Sequence, residues 1–255
     1  MSKGSVRSPL FDFCWFKDFE TALRELAGLA MAELWDYQQS PSGRLPILYN
    51  YLHHTFKKVL EEGKVLFEAE SAVFDTGLVT ENKEEIYGYF QINRHPTSTV
   101  KWFFAGWKKK SARELTRFAN LPDVANYFRD PSDLIFDTRI ELRPNVDHII
   151  EDNLGRFPDT IKSMQPLLVA NLLEGTIKNA IKRVRRNYKT AIPQYYNGKI
   201  QLLLPLCMQM TSKADLALVV EKQNDIYRAS TCLTLDMAIN NARLIAKPDD
   251  EWLKP

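Results

Sequence analysis

Between Pro166 and Pro193 the chain is set up for one long amphipathic helix, and the rest of the fold has to accommodate it. Read backwards from Tyr188, apolar residues recur at Val184, Ile181, Ile177, Leu173 and Leu172, the three-and-four spacing of one helical face. Pro166 suits an early helical position. Pro193 stops the helix at or before Ile192, because the residue ahead of a proline is pushed out of the α region. The spacing therefore predicts a helix over roughly 166–189, whose apolar stripe needs a core to lie on.

The same stretch collects cations: Lys178, Lys182, Arg183, Arg185, Arg186 and Lys189, within a window from Gly175 to Ala214 that holds no acid. Lys178, Lys182, Arg185 and Lys189 fall on one side of the helix, while Arg183 and Arg186 flank the apolar stripe. They crowd the last turns, where they complement the helix dipole. With no acid at helical spacing, ion pairs within the helix do not explain the run. Net charge over all 255 residues is only +2, so the distribution of charge, not its total, points to an anion. Arginine is the better bidentate phosphate ligand. Tyr195 and Tyr196 follow at once and suit base stacking in single-stranded RNA. The plain alternative is a solvated charged face above tyrosines that pack under the helix end.

The remaining chain reads as α+β: mostly antiparallel sheet packed against several helices, a single compact domain over 15–255 behind a loose arm of residues 1–14. Phe11–Phe16 is an apolar patch, an edge strand or a clasp onto the core. A helix is expected after Asp18 or Lys17 through about Tyr37 and another over Ile47–Glu62, ended by Gly63 as a left-handed cap. The period then changes to two. Strands are expected over Val65–Phe74, Glu85–Ile92 and Val100–Trp107, with a turn at Asp75–Leu78. A short helix over Ser111–Phe118 and another short helical piece between two turns precede a strand over Leu134–Leu142. After the basic helix come strands over Lys199–Met208, Leu216–Glu221 and Tyr227–Leu235. Pro205 in the first of these suggests an edge or a bulge. A closing helix starts at Asp236 as N-cap, and the tail is pinned by Trp252.

Other constellations are weaker. His53 and His54 are adjacent on a helix and diverge by about 100°, so one metal does not suit both; a satisfied structural role competes with acid–base chemistry. Asp147 and His148 open the DHIIEDN stretch; if that stretch is helical, they share a face with Glu151 and Asp152. That face suits a general base or a hard cation, or simply an acid-rich helix start. His53, His54, Asp147 and His148 are the catalytic candidates. Asp133, Asp137 and Glu141 form a carboxylate row if Leu134–Leu142 is a strand, a cue for a divalent ion or a solvent face. Asn241 and Arg243 join the phosphate candidates from the closing helix, where Asn240-Asn241 interrupts an apolar pattern.

No phosphate loop, GxGxxG, HExxH or GxSxG is present, and no cofactor is implied. Cys14, Cys207 and Cys232 lack zinc or disulfide spacing, which fits free thiols in a reducing cytoplasm. No signal peptide and no apolar run of membrane-spanning length is evident.

The segments KRVRRNYKTAIPQYY, KIQLLLPLCM, ADLALVVEK and TCLTLDMAINNARLIAKPDDEWL resemble a bacterial family, a domain of unknown function. FDTGLVTENKEEIYGYF and NVDHIIEDN resemble it too, so the likeness runs from about Trp15 onward. Relatives are often joined to cold-shock or LOTUS-type RNA-binding modules, which implies an RNA context. The partner expected is RNA or a nucleotide, held by Lys182, Arg183, Arg185, Arg186, Lys189, Tyr195, Tyr196, Asn241 and Arg243. Enzymatic action on a nucleotide or RNA end, and a protein-interaction scaffold, are the alternatives.

Overall fold

The computed structural model describes residues 8–37, 42–96, 98–247 and 253. Residues 1–7 of the expected arm and Trp252 of the expected tail lie outside the described residues. The chain divides into two compact units, Met1–Asn126 and Tyr127–Pro255. Each has its own five-stranded, mostly antiparallel sheet, so the fold class is α+β.

The first unit is built from α1 (Pro9–Phe13), β1 (Cys14–Trp15), α2 (Phe19–Leu29), α3 (Pro46–Glu61), β2 (Leu66–Glu68), β3 (Ser71–Val79), β4 (Glu85–Ile92) and β5 (Trp102–Lys109). Its sheet runs β1-β5-β4-β3-β2. The Phe11–Phe16 patch is thus a helical turn leading into an edge strand, parallel to β5. One sheet face is an aromatic core: Phe56 of α3 meets Phe74 at 5.0 Å, Phe74 stacks on Phe90 at 5.7 Å, and Phe13 of α1 meets Phe90 at 5.1 Å. Gly88 makes that stacking possible, since a Cβ there would lie 2.1 Å from the Phe74 ring. The other face buries Val73, Tyr87 and Tyr89 under Leu115 and Phe118.

Three expectations change here. Val65–Phe74 is not one strand. The chain reverses at Ala69, which has a left-handed φ of 48°, and β2 and β3 form a hairpin. Asp75–Leu78 is not the turn either; Gly77, at φ 73°, lies at a register shift within β3, and the chain turns after Thr80. The helix from Asp18 stops at Leu29, after which Met31 donates its N–H to Val79 O at 2.8 Å. Asp18 does cap it, accepting from Thr21 N at 3.1 Å, and Gly63 adopts the expected left-handed conformation at φ 66°.

The second unit comprises β6 (Glu141–Pro144), α4 (Val146–Asn153), α5 (Asp159–Lys162), α6 (Pro166–Arg186), β7 (Ile192–Tyr196), β8 (Lys199–Leu206), β9 (Leu216–Gln223), β10 (Ile226–Leu233) and α7 (Leu235–Arg243). Its sheet runs β6-β10-β9-β8-β7, with β6 parallel to β10. Leu202, Leu204, Leu218 and Val220 turn one face toward α4 and α6. The alternate residues face α7, because strand side chains alternate sides. Pro205 fits an inner strand because pairing with β7 stops at Leu203, so no ladder is broken on that side.

The strand expected over Leu134–Leu142 is absent. Pro131–Leu134 forms a 3-10 turn capped by Asp130, which accepts from Ser132 N at 2.8 Å, and only Glu141–Pro144 enters the sheet. Residues 124–128, where a short helical piece is expected, have no regular secondary structure, and Ser111–Phe118 reduces to a 3-10 turn over Arg113–Arg117. Thr234, not Asp236, caps α7.

Candidate functional site

Helix α6 lays Leu173, Ile177 and Val184 into the core with Leu172 and Ile181 packed against it, as the spacing predicts, and Val169 and Ala180 join them. It ends at Arg186, three residues short of the expected Lys189. Asn187 is extended, and its side chain accepts from Lys189 N at 3.1 Å, opening a 3-10 turn over Tyr188–Thr190. Lys182, Arg185, Arg186 and Lys189 are exposed. Among the described residues none of the four lies within ion-pair distance of a carboxylate. Arg183 is half-buried and points Nη1 at Cys207 Sγ, 3.0 Å away, so it is drawn out of the exposed set. Burial raises the Cys207 thiol above its ordinary range, with Arg183 opposing that shift. The expectation that no acid neutralises the run fails at one end: Glu174, one turn before Lys178, pairs with it at 3.8 Å.

The tyrosines divide. Tyr195 is half-buried on β7 and packs edge-on against Tyr127 at 4.8 Å. Tyr196 is 52% exposed at the end of the same strand. Tyr188, counted in the buried stripe by its spacing, is 61% exposed, because the helix has already ended and the three-and-four rule no longer applies to it. It sits between Arg186 and Lys189 and is the more accessible ring. Asn187 just before it was the available signal, since an Asn side chain competes with helical backbone hydrogen bonds.

Asn241 and Arg243 do not join this group. Helix α7 covers the opposite sheet face from α6. There Asn241 donates to Gln194 Oε1 at 3.1 Å, Gln194 donates to Gln201 at 2.8 Å, and Gln201 donates to Glu221 at 3.2 Å. Asn241 is therefore a tether between helix and sheet, and Arg243 is half-buried beside it on α7.

The profile of a family described as a domain of unknown function, DUF3825, matches residues 26–252. The chain belongs to the DUF3825 family. Neither curated proteins nor solved structures yield a significant match.

In this DUF3825 chain the catalytic candidates are divided between the two units. His53 and His54 lie on α3 in the first unit, Asp147 and His148 on α4 in the second. His53 is buried against Phe11, Phe19 and Tyr49, with ring centroids 4.3 to 5.4 Å away. Its Nδ1 meets the Ser8 hydroxyl, while its Nε2 has no hydrogen-bond partner among the described residues. Burial, and secondarily the neighbouring His54, push its imidazole down to about 4. His54 points outward. The DHIIEDN stretch is helical, and His148 pairs with Asp152 at 3.4 Å on its exposed face.

The carboxylate row does not form without its strand. Asp137 is held by Arg139 at 2.7 Å, which draws its carboxyl down to about 2, and Glu141 is held by Arg143 at 2.7 Å. Among the described residues no group of three His, Cys, Asp or Glu side chains could hold a metal ion, and no helix is long and apolar enough to cross a membrane.

Proposed function

We propose that this DUF3825 chain is an RNA-associated protein that grips phosphates through the C-terminal end of α6. The observation that carries this reading is the set of exposed cations Lys182, Arg185, Arg186 and Lys189, without a carboxylate partner among the described residues. Solvated cations of one sign on one helix end hold a local positive field, and arginine side chains free of carboxylates keep their donors for phosphate oxygens. Tyr188, the more exposed ring beside these cations, offers a face for an unstacked base, and Tyr195 points to the α6 side of β7 whereas Tyr196 points to the other. An exposed helical surface suits a polymer better than a lone nucleotide, which favours this reading over an enzyme acting on a nucleotide or RNA end. The resemblance to bacterial proteins joined to cold-shock or LOTUS-type modules agrees with it by analogy. Three free thiols agree with a reducing cytoplasm.

The test is fluorescence anisotropy with a short single-stranded RNA at low salt. Replacing Lys182, Arg185, Arg186 and Lys189 by Ala is expected to weaken binding at least about tenfold, uniformly across sequences. Equal affinity of that variant and the parent chain, or no binding by the parent, overturns the proposal.

A further inference from the structure

A second site lies in the first unit, and it does not depend on the α6 surface. Strand register places Ser71 opposite Gln91, Gln91 opposite Phe103, and Phe103 opposite Trp15. Paired residues point to the same face of a sheet, so these four side chains form one row across β3, β4, β5 and β1. Above the Ser71 end of the row is a half-open groove of about 540 Å³, with Arg117 as one wall and Glu70 and Arg94 at the rim.

The two ends of the row differ in chemistry. At one end Ser71, fully buried, shares a hydrogen bond of 2.8 Å with Tyr89 Oη and accepts from Arg117 Nη1 at 2.8 Å. The guanidinium also lies 5.9 Å from the Tyr89 ring. Arg117 thus has a fixed position, yet among the described residues no carboxylate is within ion-pair distance of it. At the rim, Arg94 is paired with Glu70 at 2.6 Å, with both side chains mostly in solvent. At the other end Trp15, 47% exposed, stacks on Phe103 at 5.7 Å and 30°, and Gln91 lies between the rings and the cation. An aromatic surface, an amide and a positioned guanidinium therefore follow one another along a single line.

We infer that this groove binds a phosphate monoester carried on a planar ring system, the class of a nucleoside monophosphate. Arg117 takes the phosphate, since a guanidinium fixed at one nitrogen keeps its remaining donors for oxyanions. Gln91 meets polar groups of the sugar or base, and Phe103 with Trp15 supplies the stacking surface. The same chemistry occurs on a free mononucleotide and on the 5′-phosphorylated end of an RNA.

The experiment is calorimetric titration of the full chain with adenosine 5′-monophosphate at low salt. Saturable one-to-one binding is expected. R117Q should weaken it at least tenfold, and E70Q should strengthen it about threefold, because it frees Arg94 without touching a buried contact. The two variants pull in opposite directions, so general damage to the fold cannot mimic the pattern. Parallel titrations with a 5′-phosphorylated and a 5′-hydroxyl trinucleotide distinguish the sources. Tighter binding of the phosphorylated trinucleotide than of the mononucleotide assigns the site to RNA ends, and the reverse assigns it to free nucleotides. Absence of saturable binding at millimolar mononucleotide overturns the inference. So does binding that R117Q leaves unchanged, and so does binding lost only when the α6 cations are replaced.

Discussion

Two buried ionisable residues of the first unit oppose each other in the same pH window. His53 is neutral in the folded chain, its imidazole pushed down to about 4 from an ordinary 6.5. Between those values the unfolded chain binds the extra proton, so His53 lowers stability as pH falls from 6.5 towards 4. Asp75 runs the other way. Burial, with Glu85 and Asp123 adding to it and a hydrogen bond from Gly77 N opposing, pushes its carboxyl up to about 6 from 3.8. In that window the folded chain holds the extra proton, so Asp75 raises stability as pH falls from 6 towards 4. A full shift at His53 corresponds to about 3 kcal/mol as an upper bound. The expected outcome is that D75N melts at steadily lower temperature than the parent chain as pH drops from 6.5 to 4.5, while H53Q shows the reverse trend. Parallel melting curves for all three proteins would contradict the assignment. None of this is visible in the sequence, where His53 reads as near a buried face but Asp75 reads as part of a turn.

At the level of elements, periodicity carried the interpretation wherever one face is apolar over several turns or pleats. The stripe of α6 matches its burial, and strand β4 spans the expected Glu85–Ile92. Failures occurred where a single backbone conformation decides the path. Ala69 in the left-handed region cannot be anticipated from an alternating pattern, and the Asn187 break turned Tyr188 outward. The tether from α7 was equally hidden, because Asn241 and Gln194 are 47 positions apart and only the packed sheet brings them together. That tether makes a prediction. N241A leaves the buried Gln194 carbonyl without this donor, which costs roughly 1–3 kcal/mol, readable as a lower denaturant midpoint. RNA affinity should stay within about twofold of the parent, whereas a tenfold loss would return Asn241 to the binding surface.

For the whole molecule, the sequence shows α+β but not where one unit ends. The boundary between Asn126 and Tyr127 has no glycine- or serine-rich linker to mark it. The groove of the first unit was illegible for a related reason, since its row gathers residues 15, 71, 91 and 103 through strand pairing alone. The cationic end of α6, by contrast, was legible because helical neighbours are sequence neighbours. Its role is tested most directly by how RNA affinity depends on salt. Three phosphate contacts through Arg185, Arg186 and Lys189 predict that replacing these residues by Ala lowers the slope of log affinity against log salt by about 2 for single-stranded RNA. An unchanged slope in that variant, with binding retained, would mean that α6 does not hold the phosphates.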